Sequence, residues 1–118
     1  MHARNHLKVM EGIKPTRENL LAAKSGENYE FTEMYPEFIK QAEAEGEDKA
    51  KGSFDLASKV EQIHHGLFNV ALSKIEKGEA IGEKATYVCQ YCGHTVEGEA
   101  PEKCPICGAP KMMFKLIE

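Results

Sequence analysis

Four cysteines constrain this chain more than any other feature: Cys89-Gln-Tyr-Cys92-Gly93 and Cys104-Pro-Ile-Cys107-Gly108. Two thiolates three residues apart can grip one ion from a single tight turn, and two such turns supply the four ligands of a tetrahedral cage. The glycine after each pair relieves the backbone where it must reverse and aim its N–H groups at sulfur. A disulfide framework is the competing use of four cysteines. It is disfavoured because nothing marks secretion: the first residues, Met1-His2-Ala3-Arg4-Asn5-His6, hold no apolar segment. Soft thiolates accept zinc or iron, and their number alone does not choose between a zinc ribbon and a one-iron redox centre.

The 118 residues have room for a small helical domain plus a metal-stapled module. The stretch around the cysteines is too short to hold a core without its ion, so metal binding and folding are expected to be coupled there. The net charge of −4, with no basic run, argues against a nucleic-acid partner. No segment has the apolar length of a membrane span, and reduced, metal-bound cysteines fit a cytoplasmic setting.

Helical periodicity dominates residues 1–80. Residues 1–11 read as the end of a helix stopped by Gly12, with Leu7 and Met10 apolar. Thr16 is a candidate N-cap, and Leu20, Ala23, Phe31, Met34, Phe38 and Ala42 recur at helical spacing after it. Pro36 sits inside that run and is expected to kink the helix or free a carbonyl near Thr32. Gly46 punctuates, and Glu47-Asp48 open a second long helix ending at Lys77-Gly78. Residues 82–85 read as a linker, and short strands are expected at Tyr87-Val88 and over residues 113–116. The fold class is therefore mainly α with a small β metal module: a helical domain over 1–80 and a cysteine domain over 84–118.

Acids stand on the wrong side of both helices. Leu20, Ala23, Glu27, Glu30, Met34 and Phe38 form one stripe, and Phe54, Ala57, Glu61, His64, Phe68, Ala71 and Ile75 form another. Buried carboxylates are unfavourable unless paired or bound to a cation. An antiparallel hairpin brings the two acidic levels opposite each other, and inward carboxylates plus imidazole are what a two-iron site requires. Glu33, Glu37, Glu43, Glu45 and Glu47 read as solvated surface. His65 points about 100 degrees away from His64 around the helix and reads as a surface or supporting group, and His6 as ordinary. Tyr29 and Tyr35 flank the acids, as packing groups or as hydrogen-bond partners of the ligands.

The segment Gly26-Glu27-Asn28-Tyr29-Glu30-Phe31-Thr32-Glu33-Met34-Tyr35-Pro36 resembles the third bundle helix of rubrerythrin. Glu61-Gln62-Ile63-His64 is similar to the Glu-x-x-His of its fourth helix, and the cysteine segment to its rubredoxin-like domain. The resemblance implies a ferritin-like di-iron bundle joined to a four-cysteine iron centre. The implied activity is NADH-linked reduction of hydrogen peroxide in oxidative-stress defence, with reduced rubredoxin or an NADH-dependent reductase as electron donor. It implies Glu27 and Glu61 as iron carboxylates, Glu61 bridging, with His64 a terminal ligand. Glu30 becomes the carboxylate that exchanges with a histidine, and His2 aligns with that histidine. Cys89, Cys92, Cys104 and Cys107 become the ligands of a single iron, for which zinc can substitute.

The first two bundle helices, with two further glutamates, have no counterpart among these residues. Two copies of the hairpin at 16–77 could instead face each other across a two-fold axis, so a homodimer is expected. The competing readings are an electron carrier and a zinc ribbon on a helical hairpin, both without catalysis.

Overall fold

The computed structural model describes residues 1–82 and 84–117; part of the expected linker, at Glu83, and the last residue, Glu118, lie outside the described residues. Helix α1 (His2–Val9) buries none of its residues. Helix α2 (Thr16–Tyr29) begins one residue earlier than a Thr16 cap requires. Thr16 is already helical, and Asn19 Oδ1 instead accepts the Lys14 N–H at 2.9 Å, tying down the approach to the helix.

Pro36 acts upstream of itself. Residues Glu30–Met34 form a π-helical turn in which the Tyr35 N–H reaches the Glu30 carbonyl, five residues back. Proline lacks an N–H and crowds the carbonyl four residues before it, so the helix widens by one residue before entering α3 (Tyr35–Glu45). The expected kink is therefore a bulge at the level of the acids. Gly46 closes α3 at φ +74°, while the Glu47 N–H bonds to the Ala42 carbonyl at 2.8 Å.

Helix α4 (Asp48–Glu76) packs antiparallel along both α2 and α3. Phe38 and Phe54 rings meet at 5.4 Å, and Tyr35 and Phe54 at 6.2 Å, joining α3 to α4 through aromatic contacts. His65 puts its ring edge-on to Phe31 at 5.6 Å, a packing role rather than a surface one. Fully buried residues are few in the helices: Ala42, Val60 and Leu72. Leu21, Val70 and, in and just after α1, Leu7, Val9 and Met10 remain exposed. Among the described residues, no helix is long and apolar enough to cross a membrane.

The C-terminal module is an antiparallel sheet in the order β2-β1-β3, with β1 (Thr86–Cys89), β2 (Thr95–Glu97) and β3 (Phe114–Ile117). Tyr87 pairs with Val96 on one side and Leu116 on the other, and Cys89 lies opposite Phe114. Its core is Cys89, Cys104 and Phe114, with Tyr87, Val96 and Ile106 packed around them. Strand β2 has no clear alternation in three residues, which is why residue pattern gave no notice of it.

Val60 joins the two parts. It is 1% exposed, and a Cβ added at Gly93 would lie 3.6 Å from its Cγ1, so the first knuckle of the module stands over this residue with little more than a methyl's width between them. Val60→Ala is expected to lower unfolding stability by about 2 kcal/mol, through lost burial and the void left behind. Thermal unfolding monitored by circular dichroism checks this; an unchanged midpoint would mean that the module does not rest on α4.

Candidate metal centres

The cysteine cage is built from two turns of the same design. In each, the glycine after the second cysteine takes a left-handed φ, +84° at Gly93 and +77° at Gly108. Each glycine N–H returns to the carbonyl of the first cysteine, Gly93 to Cys89 at 2.8 Å and Gly108 to Cys104 at 2.9 Å. Backbone N–H groups then point at sulfur: His94 toward Cys92, Cys107 and Ile106 toward Cys104, and Ala109 toward Cys107. Burial pushes the Cys92 thiol far above its ordinary range despite its N–H partner. Burial likewise raises Cys107, while at Cys104 the N–H bonds outweigh burial and hold the thiol low.

The cage fits an ion. Cys89 and Cys107 sulfurs lie 3.7 Å apart, as do those of Cys92 and Cys104. Four thiolates at about 2.3 Å from a tetrahedral centre stand about 3.8 Å from one another. Cys89 and Cys104 are buried, whereas Cys92 and Cys107 are partly exposed. A cleft of about 550 Å³ between the start of α4 and the exposed Tyr91 reaches Cys92.

The second cluster is Glu27 from α2 with Glu61 and His64 from α4, whose ligand atoms all lie within 4.8 Å of one another. His64 Nδ1 is 2.7 Å from Glu61 Oε2 and 3.8 Å from Glu27 Oε2, with side-chain exposures of 24%, 16% and 19% respectively. Glu27 Oε2 is buried and, among the described residues, has no hydrogen-bond partner. Burial, then the adjoining Glu61 carboxyl, push Glu27 up to about 7, against a smaller opposing pull from His64. The Glu61 contribution includes a bond that forms only when one of the two acids carries a proton. A hard cation meets all of these demands at once, so oxygen and nitrogen donors here fit iron.

Not every expected ligand joins this group. Glu30 is half-buried in the π turn and raises Glu27 by its charge without entering the cluster. His2 lies exposed in α1, outside it. Tyr35 is half-buried near the acids, and burial followed by the charges of Glu61, Glu30 and Glu27 raise its hydroxyl, whereas Tyr29 is 53% exposed. His94, buried beside the cysteine cage with its ring edge-on to Phe114, was not apparent from residue pattern. Nor were Gly93 and Thr95 as partners of His64: its Nε2 lies 3.2 Å from the Gly93 carbonyl and 3.1 Å from Thr95 Oγ1.

A family model described as rubrerythrin matches residues 1–73, and one described as the rubrerythrin rubredoxin-like domain matches residues 87–115. The chain belongs to the rubrerythrin family. It is 38% identical over 105 residues to rubrerythrin-1 of Clostridium acetobutylicum, covering 86% of this chain and 54% of that protein. It is 35% identical over 132 residues to a rubrerythrin of Nitratidesulfovibrio vulgaris, covering 98% of this chain and 69% of that one. Nigerythrin in a partially reduced state superposes with a TM-score of 0.81 at 35% identity, over 89% of this chain and 51% of nigerythrin. An all-ferrous nigerythrin gives 0.80 at 36% identity, over 88% and 50%. The chain thus spans about half the length of several rubrerythrin relatives it matches. Family membership and the two donor sets support iron as the metal at both clusters.

Two outcomes follow. Cys104→Ser is expected to remove the cage metal and unfold the module while the helical content persists, read by metal analysis and circular dichroism. A module that stays folded without metal would contradict the coupling. With the cage loaded and the helical cluster metal-free, folded Glu27 keeps its proton up to about pH 7, against an ordinary value of 4.5. The folded state then binds more protons than the unfolded one between those values, so this group's contribution to stability falls as pH rises through the window. Glu27→Gln is expected to flatten that fall in a pH series of thermal midpoints; an identical slope would show Glu27 to be ordinary.

Proposed function

We propose that this chain acts as an iron-dependent peroxide reductase in oxidative-stress defence, working as a homodimer. Membership of the rubrerythrin family and the two donor clusters support the reading. The observation that carries it is the 3.2 Å contact between His64 of the carboxylate cluster and the carbonyl of Gly93, the residue after Cys92. A one-electron thiolate centre and a carboxylate centre are thereby linked through a single hydrogen bond between their ligand segments.

When bound, iron supplies the electrons, one at a time through the cysteine cage and two to the O–O bond of hydrogen peroxide, which with two protons yields two waters. The chain's own residues bind, gate and balance charge. Glu27 and Glu61 are hard donors that favour the ferric state, and His64 is the nitrogen donor. Glu30, beside the cluster in the π turn, is the carboxylate able to move in or out as the charge changes. A cleft of about 350 Å³ lined by Glu27, His64, Leu67, Phe68 and Thr95 opens onto the donors, with mainly apolar walls that admit a small neutral oxidant. Partly exposed Cys92 and Cys107 give an external donor, such as reduced rubredoxin or an NADH-dependent reductase, its entry edge.

One chain offers three ligands, which is half a di-iron set. A second copy doubles these to four carboxylates and two histidines, the count such a site uses. Exposed Leu21 and Val70 on the helices, and Leu7, Val9 and Met10 in and just after α1, leave apolar surface for self-association. The same three-ligand count favours a second reading, an electron carrier whose helices only tether.

Anaerobic peroxide consumption by iron-loaded protein separates the two. A dimer with about two irons per chain and turnover supports the reductase. Glu61→Gln is expected to abolish turnover and halve the iron while the cage keeps its red ferric-thiolate absorption. A monomer with iron in the cage alone and no turnover would leave the carrier.

A further inference from the structure

We infer that the cysteine module presets the helical metal site by fixing the tautomer of His64, with Thr95 and the Gly93 carbonyl as the positioning groups. The inference rests on the carboxylate cluster being a metal site and adds which residues make it ready. A carbonyl oxygen only accepts hydrogen bonds, so the 3.2 Å contact from His64 Nε2 to Gly93 requires the proton to sit on Nε2. Thr95 agrees with this. Its hydroxyl donates to the same Gly93 carbonyl at 3.1 Å, which leaves its lone pairs free to accept from His64 Nε2–H at 3.1 Å. With Nε2 turned to these acceptors, Nδ1 is the ring nitrogen that faces Glu61 Oε2 at 2.7 Å and Glu27 Oε2 at 3.8 Å. In the metal-free protein a single proton shared between Nδ1 and Glu61 fills that gap, and a cation that displaces it meets a ring already turned with Nδ1 toward the carboxylates.

The positioning groups belong to the metal-folded turn. Gly93 owes its left-handed φ to the cysteine knuckle, and Thr95 begins β2, held by its pairing with Val88. Val60 faces the same glycine from α4, with room for little more than a methyl group between them. Filling the cysteine cage therefore orders the acceptors of His64, and the two sites load in sequence: thiolates first, carboxylates second. Outer partners of this kind change metal affinity by roughly 10-fold to 100-fold when removed.

The test uses the 118-residue chain with zinc in the cysteine cage and histidines labelled with 15N. Long-range proton–nitrogen spectra, recorded before any metal enters the helices and at a pH where the ring is neutral, are expected to show His64 protonated on Nε2 in the unaltered protein and in Thr95→Ser. Thr95→Val is expected to mix the tautomers. Co²⁺ is then titrated and followed by its visible bands. Thr95→Val is expected to weaken binding at the helical cluster by about 10-fold, with Thr95→Ser close to the unaltered protein and the zinc content of the cage unchanged in both. His64 protonated on Nδ1 in the unaltered protein, or Thr95→Val equal to it in both tautomer and Co²⁺ affinity, overturns the inference. The spectrum needs no helical metal. Absent Co²⁺ binding with Nε2 protonated would therefore sink the peroxide-reductase reading while leaving the positioning role standing.

Discussion

Glu27 and Glu61 press two carboxylates together at the middle of a thin helical hairpin, and that enforced proximity organises the rest of the molecule. A buried Glu27 oxygen with no hydrogen-bond partner among the described residues and a carboxyl raised to about 7 express the same physical problem: negative charge with too little water around it. Repulsion of this kind is tolerated in a fold only where a proton or a metal ion relieves it. The surrounding features fall into place around that need. The π turn at Glu30–Met34 keeps a third carboxylate within reach, Tyr35 lines the acids, and His64 completes a mixed oxygen and nitrogen donor set.

The module solves a different problem. Three short strands and a core of Cys89, Cys104 and Phe114 bury little apolar surface, so the ion is the staple. Structural thiolate sites bind metal with roughly 10 kcal/mol or more, enough to fold a segment of this size outright. Once folded, the module lends its stability to α4 through Val60 and Gly93 and its hydrogen-bond acceptors to His64. The two clusters are thus joined by packing as well as by hydrogen bonds.

Much of this was legible in the residues. Paired Cys-x-x-Cys-Gly turns announce their geometry because local backbone chemistry dictates it, and both glycines adopt the conformation those turns require. Glu27, Glu61 and His64 stood out because acids in apolar stripes violate the helical pattern, and α2 and α4 do bring them together. What stayed hidden depends on contacts between distant segments. Val60 and Thr95 carry no unusual chemistry, and their roles come from how the module settles on α4. The bulge before Pro36 was half visible: proline predicts a disturbed ladder, but not that the helix widens instead of bending. His2 shows the reverse. Its place came from a likeness to relatives, while the exposed α1 keeps it away from the three-residue cluster.

Anomalous X-ray diffraction at the iron edge, on crystals grown anaerobically with ferrous iron, interrogates the central claim most directly. Strong anomalous density is expected inside the cysteine cage, with a further peak bounded by Glu27, Glu61 and His64 and faced by His64 Nδ1. Density confined to the cysteines, with Glu27 and Glu61 sharing a proton across an iron-free gap, would contradict it.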